Sequence, residues 1–106
     1  MNDTGTAVPS PLAARSTAAV PTASASRYLQ QLCKHFAHKR PVEFDKLSGV
    51  IALSAGDCRL NARDGVLALD LAAADAESLA RLQETVERHL VRFAFREEMR
   101  IDWRSA

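Results

Sequence analysis

The sequence predicts an α+β fold: a single antiparallel sheet of five or six strands with two helices packed on one face. Three observations lead there. Two segments carry apolar residues at helical spacing, each forming one stripe. Between them lie four short stretches of alternating apolar and polar residues, separated by tight-turn residues. The order strand, helix, four strands, helix, strand leaves both stripes in need of cover, and one sheet face supplies it for both.

Residues Met1 to Leu12 (MNDTGTAVPSPL) are small and polar with two prolines. They read as a disordered tail (1–12) ahead of a single domain over 13–106. Ala13 to Val20 is expected as an edge strand stopping at Pro21, which has no ladder donor to give. Thr22 to Ser26 offers hydroxyl caps to a helix periodic from Arg27 onward. Tyr28, Leu29, Leu32, Cys33 and Phe36 share one face of it, and Arg27, Gln30, Gln31, Lys34 and His38 the other. Pro41 closes this helix by biasing Arg40 out of helical geometry.

Val42 and Phe44 then alternate with Glu43 and Asp45, and Gly49 opens Val50 to Leu53. Ala55-Gly56 turns the chain into Cys58, Leu60 and Ala62, which alternate with Asp57, Arg59 and Asn61. Asp64-Gly65 is a two-residue hairpin signal, because both residues tolerate positive φ. Leu67, Leu69 and Leu71 follow, completing an antiparallel meander. Asp75 is placed to cap a second helix, with Glu77 in its first turn and Leu79, Leu82, Val86, Leu90 and Phe93 as its buried stripe. Glu84 and Arg88 form an i, i+4 pair on its solvated side. Met99, Ile101 and Trp103 alternate with Arg100, Asp102 and Arg104, so a strand is expected to end the chain.

Composition narrows the function classes. The 106 residues are 47% hydrophobic and 25% charged, ordinary for a globular domain. A closed (β/α)8 barrel needs roughly 200 residues or more, and a dinucleotide fold needs two βαβαβ halves; neither fits. The 14 basic against 13 acidic residues leave a net charge of +1, so no overall field favours nucleic acid or membrane. Two cysteines make no secreted disulfide framework, and neither a secretory signal nor an apolar run of membrane length is legible. The expectation is a cytoplasmic protein.

The segments ASRYLQQLCKHFAHKRPVEF (25–44), GDCRL (56–60), HLVRFAFRE (89–97) and IDW (101–103) occur together. In that combination the chain resembles the bacterial domain-of-unknown-function 2218 family, over roughly Ala14 to Arg104. The resemblance implies a small α+β protein with no established activity, so it transfers no catalytic residue. Some similar proteins bear the name of a dihydroxyheptenedioate aldolase. Enzymes of that name resemble metal-dependent (β/α)8 barrels, and this chain is too short for one. Relatives near iron-uptake genes add a contextual hint of iron association.

No phosphate loop, dinucleotide fingerprint, HExxH, CxxC or GxSxG motif is present. No cofactor is therefore expected. Cys33, His35, Cys58 and His89 are the candidate metal ligands: their thiols and imidazoles suit zinc or a similar ion, and all four could converge where the helices meet the sheet. The competing reading makes the cysteines small core residues and the histidines stripe-edge residues with a local partner. Lys34, Arg92 and Arg96 are candidate ligands for a small anion, the two arginines lying beside Phe93 and Phe95 at a helix end. There too the competing reading is simpler: cations complement the negative end of a helix dipole. The outward strand positions carry mixed charge and no ring, which argues against RNA. Three functions follow in order. The first is a non-enzymatic module binding a protein partner or small anionic ligand, with a homodimer through a sheet edge as one form. The second is a metal- or iron-associated accessory protein using Cys33, Cys58, His35 and His89. The third is a small lyase or hydrolase, for which no nucleophile–base pair is legible.

Overall fold

The computed structural model describes residues 13–106; the tail expected over 1–12 lies outside the described residues. The elements are β1 (Ala14–Pro21), α1 (Ala25–Ala37), β2 (Val42–Phe44), β3 (Ser48–Leu53), β4 (Gly56–Arg63), β5 (Val66–Ala73), α2 (Ala76–Phe93) and β6 (Arg104–Ser105). All strand pairings are antiparallel, in the order β2-β3-β4-β5-β1-β6.

The meander β2 to β5 follows from its turns. Asp64 and Gly65 take φ of 54° and 72°, the paired positive values of a type I′ turn. Asp45 Oδ1 accepts from the backbone N–H groups of Leu47 and Ser48, which fixes the β2–β3 connection and starts β3 at Ser48. Gly56 (φ 154°) begins β4 where a Cβ would collide with the Ala72 carbonyl oxygen, so only glycine fits.

Both helices lie on the same side of the sheet. α1 carries the chain from β1 back across the sheet to β2 and packs on β2, β3 and β4, while α2 packs on β5 and β1. Between them, α1 contributes Tyr28, Leu29, Leu32 and Cys33 and α2 contributes Leu82, Val86 and Leu90. These meet Ile51, Cys58, Leu60, Leu67, Leu69, Leu71, Ala18 and Val20 in one apolar core. Buried Ser16 has its hydroxyl satisfied by Gln83 Nε2 of α2 at 2.9 Å. Asp75 caps α2 by accepting from Ser78 N–H, as its position predicts.

Three expectations need correction. The first strand is not the outermost one: β1 pairs with β5 over its full eight-residue length, and on its other side β6 pairs with Ser16 and Thr17. The ladder of Ala14–Pro21 is set by β5, a partner remote in sequence, and weak alternation in an alanine-rich segment cannot reveal it. The closing strand is only Arg104–Ser105. Met99, Ile101 and Trp103 are half-buried and pack against the core without ladder bonds, and Trp103 Nε1 donates to Glu87 Oε1 of α2 at 3.0 Å. Finally, α1 starts at Ala25, and Ser24 makes no side-chain cap; Thr22 Oγ1 accepts from Ser24 N–H in its place.

Candidate functional site

With both helices on one side, the other side of the sheet is open among the described residues. Side chains alternate along each strand, so each residue directly opposite another in register shares its face. The registers Glu43↔Val50, Val50↔Arg59, Arg59↔Asp70, Asp70↔Thr17 and Thr17↔Arg104 link one row of open-face residues across every strand. Beside it Ala72 stands opposite Asp57 and Arg15, and Ala68 opposite Asn61 and Ala19. Ala19, Ala68, Ala72 and Thr17 are therefore small residues set among the charges of this face.

Three adjoining depressions occupy this face. One of about 460 Å³ is lined by Thr17, Ala19, Arg59, Asn61, Asp70 and Arg104 among others. A second of about 220 Å³ lies around Arg15, Asp57, Arg59, Asp70 and Ala72, and a third of about 430 Å³ reaches Glu43 and Val50. Arg15 Nη2 donates to both oxygens of Asp70, at 3.0 and 2.8 Å, which holds that carboxylate in place. Arg59 and Asn61 are exposed between them.

The structure separates the four candidate metal ligands into two pairs. Cys33 and Cys58 are wholly buried free thiols. Burial pushes the Cys33 thiol up to about 11. Burial raises Cys58 as well, with Cys33, Asp70 and Asp57 adding to the effect. A buried thiol that keeps its proton at neutral pH is a poor nucleophile. His35 and His89 meet instead at the outer seam between the helices, their ring centroids 4.8 Å apart, with Phe36 and Phe93 beside them. His89 Nδ1 lies 2.6 Å from the Thr85 carbonyl oxygen, so it donates there, and Nε2 keeps a lone pair in the neutral ring. Desolvation, then the positive charges of His89, His38, Lys39 and Arg92, hold His35 below the usual imidazole range. Among the described residues, no three His, Cys, Asp or Glu side chains gather in a group able to hold a metal.

The candidate anion ligands are also dispersed. Lys34 is exposed with Arg27 and Gln31, beside half-buried Gln30, along a shallow depression on the outer side of α1. Arg92 is exposed in the last turn of α2. Arg96 stacks over the exposed Phe95, its guanidinium carbon 5.4 Å from the ring centre.

Sequence reasoning missed two groups. Tyr28 OH and Thr22 Oγ1 both donate to Glu97 Oε2, tying the turn after α2 to the start of α1. The hydrogen bond to Glu97 is the main reason the Tyr28 phenol is held above its ordinary value. Thr17 and Arg104 were also missed as members of the open face. They join it only through the β5-β1-β6 pairings, which no local spacing encodes. The signal that did exist was the alternation placing Glu43, Asp45, Asp57, Arg59, Asn61 and Asp70 outward.

Fold and open face together define a class of small α+β protein in which two helices shield one side of an antiparallel sheet and the other side stays bare. The chain belongs to the family described as "Uncharacterized protein conserved in bacteria (DUF2218)", whose profile matches residues 17–104. It is similar to PA4090 from Pseudomonas aeruginosa, solved by NMR, at 40% identity and a TM-score of 0.73, over 86% of this chain and 95% of that one. No curated protein matches the chain. Among the described residues, no helix is long and apolar enough to cross a membrane.

Proposed function

We propose that the protein is a non-enzymatic binding module whose working surface is the open face of the sheet. One observation carries this reading: among the described residues one side of a six-stranded sheet is left uncovered, and that side sets Ala19, Ala68, Ala72 and Thr17 among an ordered set of charges. Small side chains leave room for an incoming surface, and the Arg15–Asp70 pair and Arg59 supply direction. Two buried, protonated thiols and an absent catalytic motif favour binding over chemistry.

The test is photo-crosslinking in bacterial cells. A photoreactive residue in place of Ala68 should give a discrete covalent adduct, whereas the same residue in place of Arg81, on the exposed side of α2, should give none. No adduct from position 68, or equal labelling from both positions, would overturn the reading.

A second reading, metal association, draws on the His35–His89 pair, with two imidazoles side by side and one Nε2 lone pair available. Zinc titrated into the protein should then shift both imidazole NMR signals with a defined stoichiometry, and His89→Ala should abolish the shift. Uptake that survives His89→Ala would remove this reading.

A further inference from the structure

We propose that the open face is occupied by a second copy of this chain, in a two-fold symmetric, face-to-face dimer. This rests on the open face being the working surface and names its partner. The charges across the sheet carry it. From β2 to β6 the central row reads Glu43, Val50, Arg59, Asp70, Thr17, Arg104, which is negative, neutral, positive, negative, neutral, positive. Read from its far end, the row has every sign reversed.

Two copies stacked face to face must be related by an axis lying between the sheets. If the axis runs parallel to the strands, between β4 and β5, each row meets its own reverse. Glu43 then opposes Arg104 of the second copy, Val50 opposes Thr17, and Arg59 opposes Asp70, each twice by symmetry. An axis perpendicular to the strands and along this row would set Arg59 against Arg59, Asp70 against Asp70 and Glu43 against Glu43. The charge pattern therefore selects one arrangement, and it keeps strand directions aligned as in packed sheets.

The neighbouring rows fit the same axis. Asp57 meets Ala72 and Asn61 meets Ala68, so at the centre a larger polar side chain faces a methyl group, while at the rim Asp45 comes to the same end as Asp102, the one acidic pair of this arrangement. The depressions over Ala72 and Ala68 give Asp57 and Asn61 room. Asp70 keeps Arg15 of its own chain and gains Arg59 of the other, a carboxylate shared by two guanidiniums.

An edge contact would leave the complementary charge row unmatched: β2 has three residues, β6 has two, and β6 pairs only Ser16 and Thr17 of β1. Six strands at about 4.8 Å spacing and some five residues along each give a face of roughly 400–500 Å² per copy. Two copies bury on the order of 1,000 Å², the range of a weak, concentration-dependent dimer.

The experiment is sedimentation equilibrium on the full chain across a wide concentration range. Wild type should follow a monomer–dimer equilibrium that weakens with added salt. Arg59→Asp and Asp70→Arg should each weaken it about tenfold or more, because each sets like charges against each other twice. An equimolar mixture of the two variants should restore association, since R59D presents two acids to the two arginines of D70R. A change that merely damaged the fold would not be repaired by mixing. Should D70R unfold for loss of the Arg15 pair, Glu43→Arg and Arg104→Glu at the exposed ends of the row carry the same test. A wild type that stays monomeric at millimolar concentration, or variants that fail to associate when mixed, would overturn the dimer.

The Ala68 crosslink separates this failure from that of the underlying reading. An adduct of twice the chain mass supports the dimer. An adduct of any other mass overturns it while the binding face stands, and no adduct removes both.

Discussion

The two faces of one sheet differ as sharply as two proteins. On the helix-covered side, Leu60, Leu69 and Leu71 are almost wholly buried beside Cys58 and Ile51. On the bare side, the positions next to them in the chain are Arg59, Asn61, Ala68 and Asp70. Backbone and strand geometry are shared, so the contrast isolates what the side chains are selected to do. The covered side fills volume. The bare side keeps residues small or charged, so it presents little contiguous apolar surface.

The comparison can be broken by exchanging the roles of adjacent residues. Leu69→Ala removes a wholly buried side chain from the core and should cost about 2–5 kcal/mol. Ala68→Val, one residue away on the bare face, should change stability by no more than about 0.5 kcal/mol. Urea unfolding measures both, and equal losses would mean that the bare face is itself packed against something. Gly49 comes next. A Cβ there would stand 2.7 Å from Cys33 Sγ and 3.2 Å from Phe44 Cβ, so Gly49→Ala overpacks the covered side at a cost of about 1–3 kcal/mol. Because Sγ is the nearest obstacle, the loss should shrink when Cys33→Ala is present, a coupling that a double-mutant cycle reads directly.

The same contrast explains what was legible in the sequence. Element types and inward faces came from local period: Cys33 and Cys58 lie inside, both helices on one side, and Asp64-Gly65 makes its turn. The inner position of β1, the shortness of β6 and the row ending at Arg104 depend on pairings between segments far apart in the chain. Nothing in the spacing of Ala18, Ala19 and Val20 specifies them. The site followed the same division. Arg59 and Asp70 were visible as outward residues, but their adjacency across β4 and β5 and the reversal of sign along the row became visible only with the register. His35 and His89 converge because α1 and α2 cross near their C-terminal ends, a crossing that neither helix encodes alone.

pH separates the faces further. The Cys33 pKa is raised from an ordinary 9.0 to about 11, so between those values the unfolded chain has lost a proton that the folded chain keeps. Stability should be full below pH 9 and fall as pH rises toward 11, by on the order of 1 kcal/mol at pH 10 for this thiol alone. Cys33→Ala should flatten the alkaline limb of urea midpoints against pH. An unchanged limb would mean that the core admits solvent at this site.

The smallest effects belong to the outer surface of the helices. Lys34, Arg92 and Arg96 are all exposed. Replacing all three by alanine should leave stability within about 0.5 kcal/mol. Arg92 is the last of the causes, after desolvation and the charges of His89, His38 and Lys39, that hold His35 below the usual imidazole range. A base with a lowered pKa in the folded state makes stability rise with pH across the interval between that value and its ordinary 6.5. Arg92→Ala should move the His35 titration upward in an NMR pH series and narrow that interval, so the protein loses less stability on mild acidification. The open-face variants Arg59→Asp and Asp70→Arg should leave His35 where it is, because they lie across the sheet from the helix seam. A His35 titration that followed the open-face variants and ignored Arg92 would show that the two sides of the sheet are coupled through more than the core that separates them.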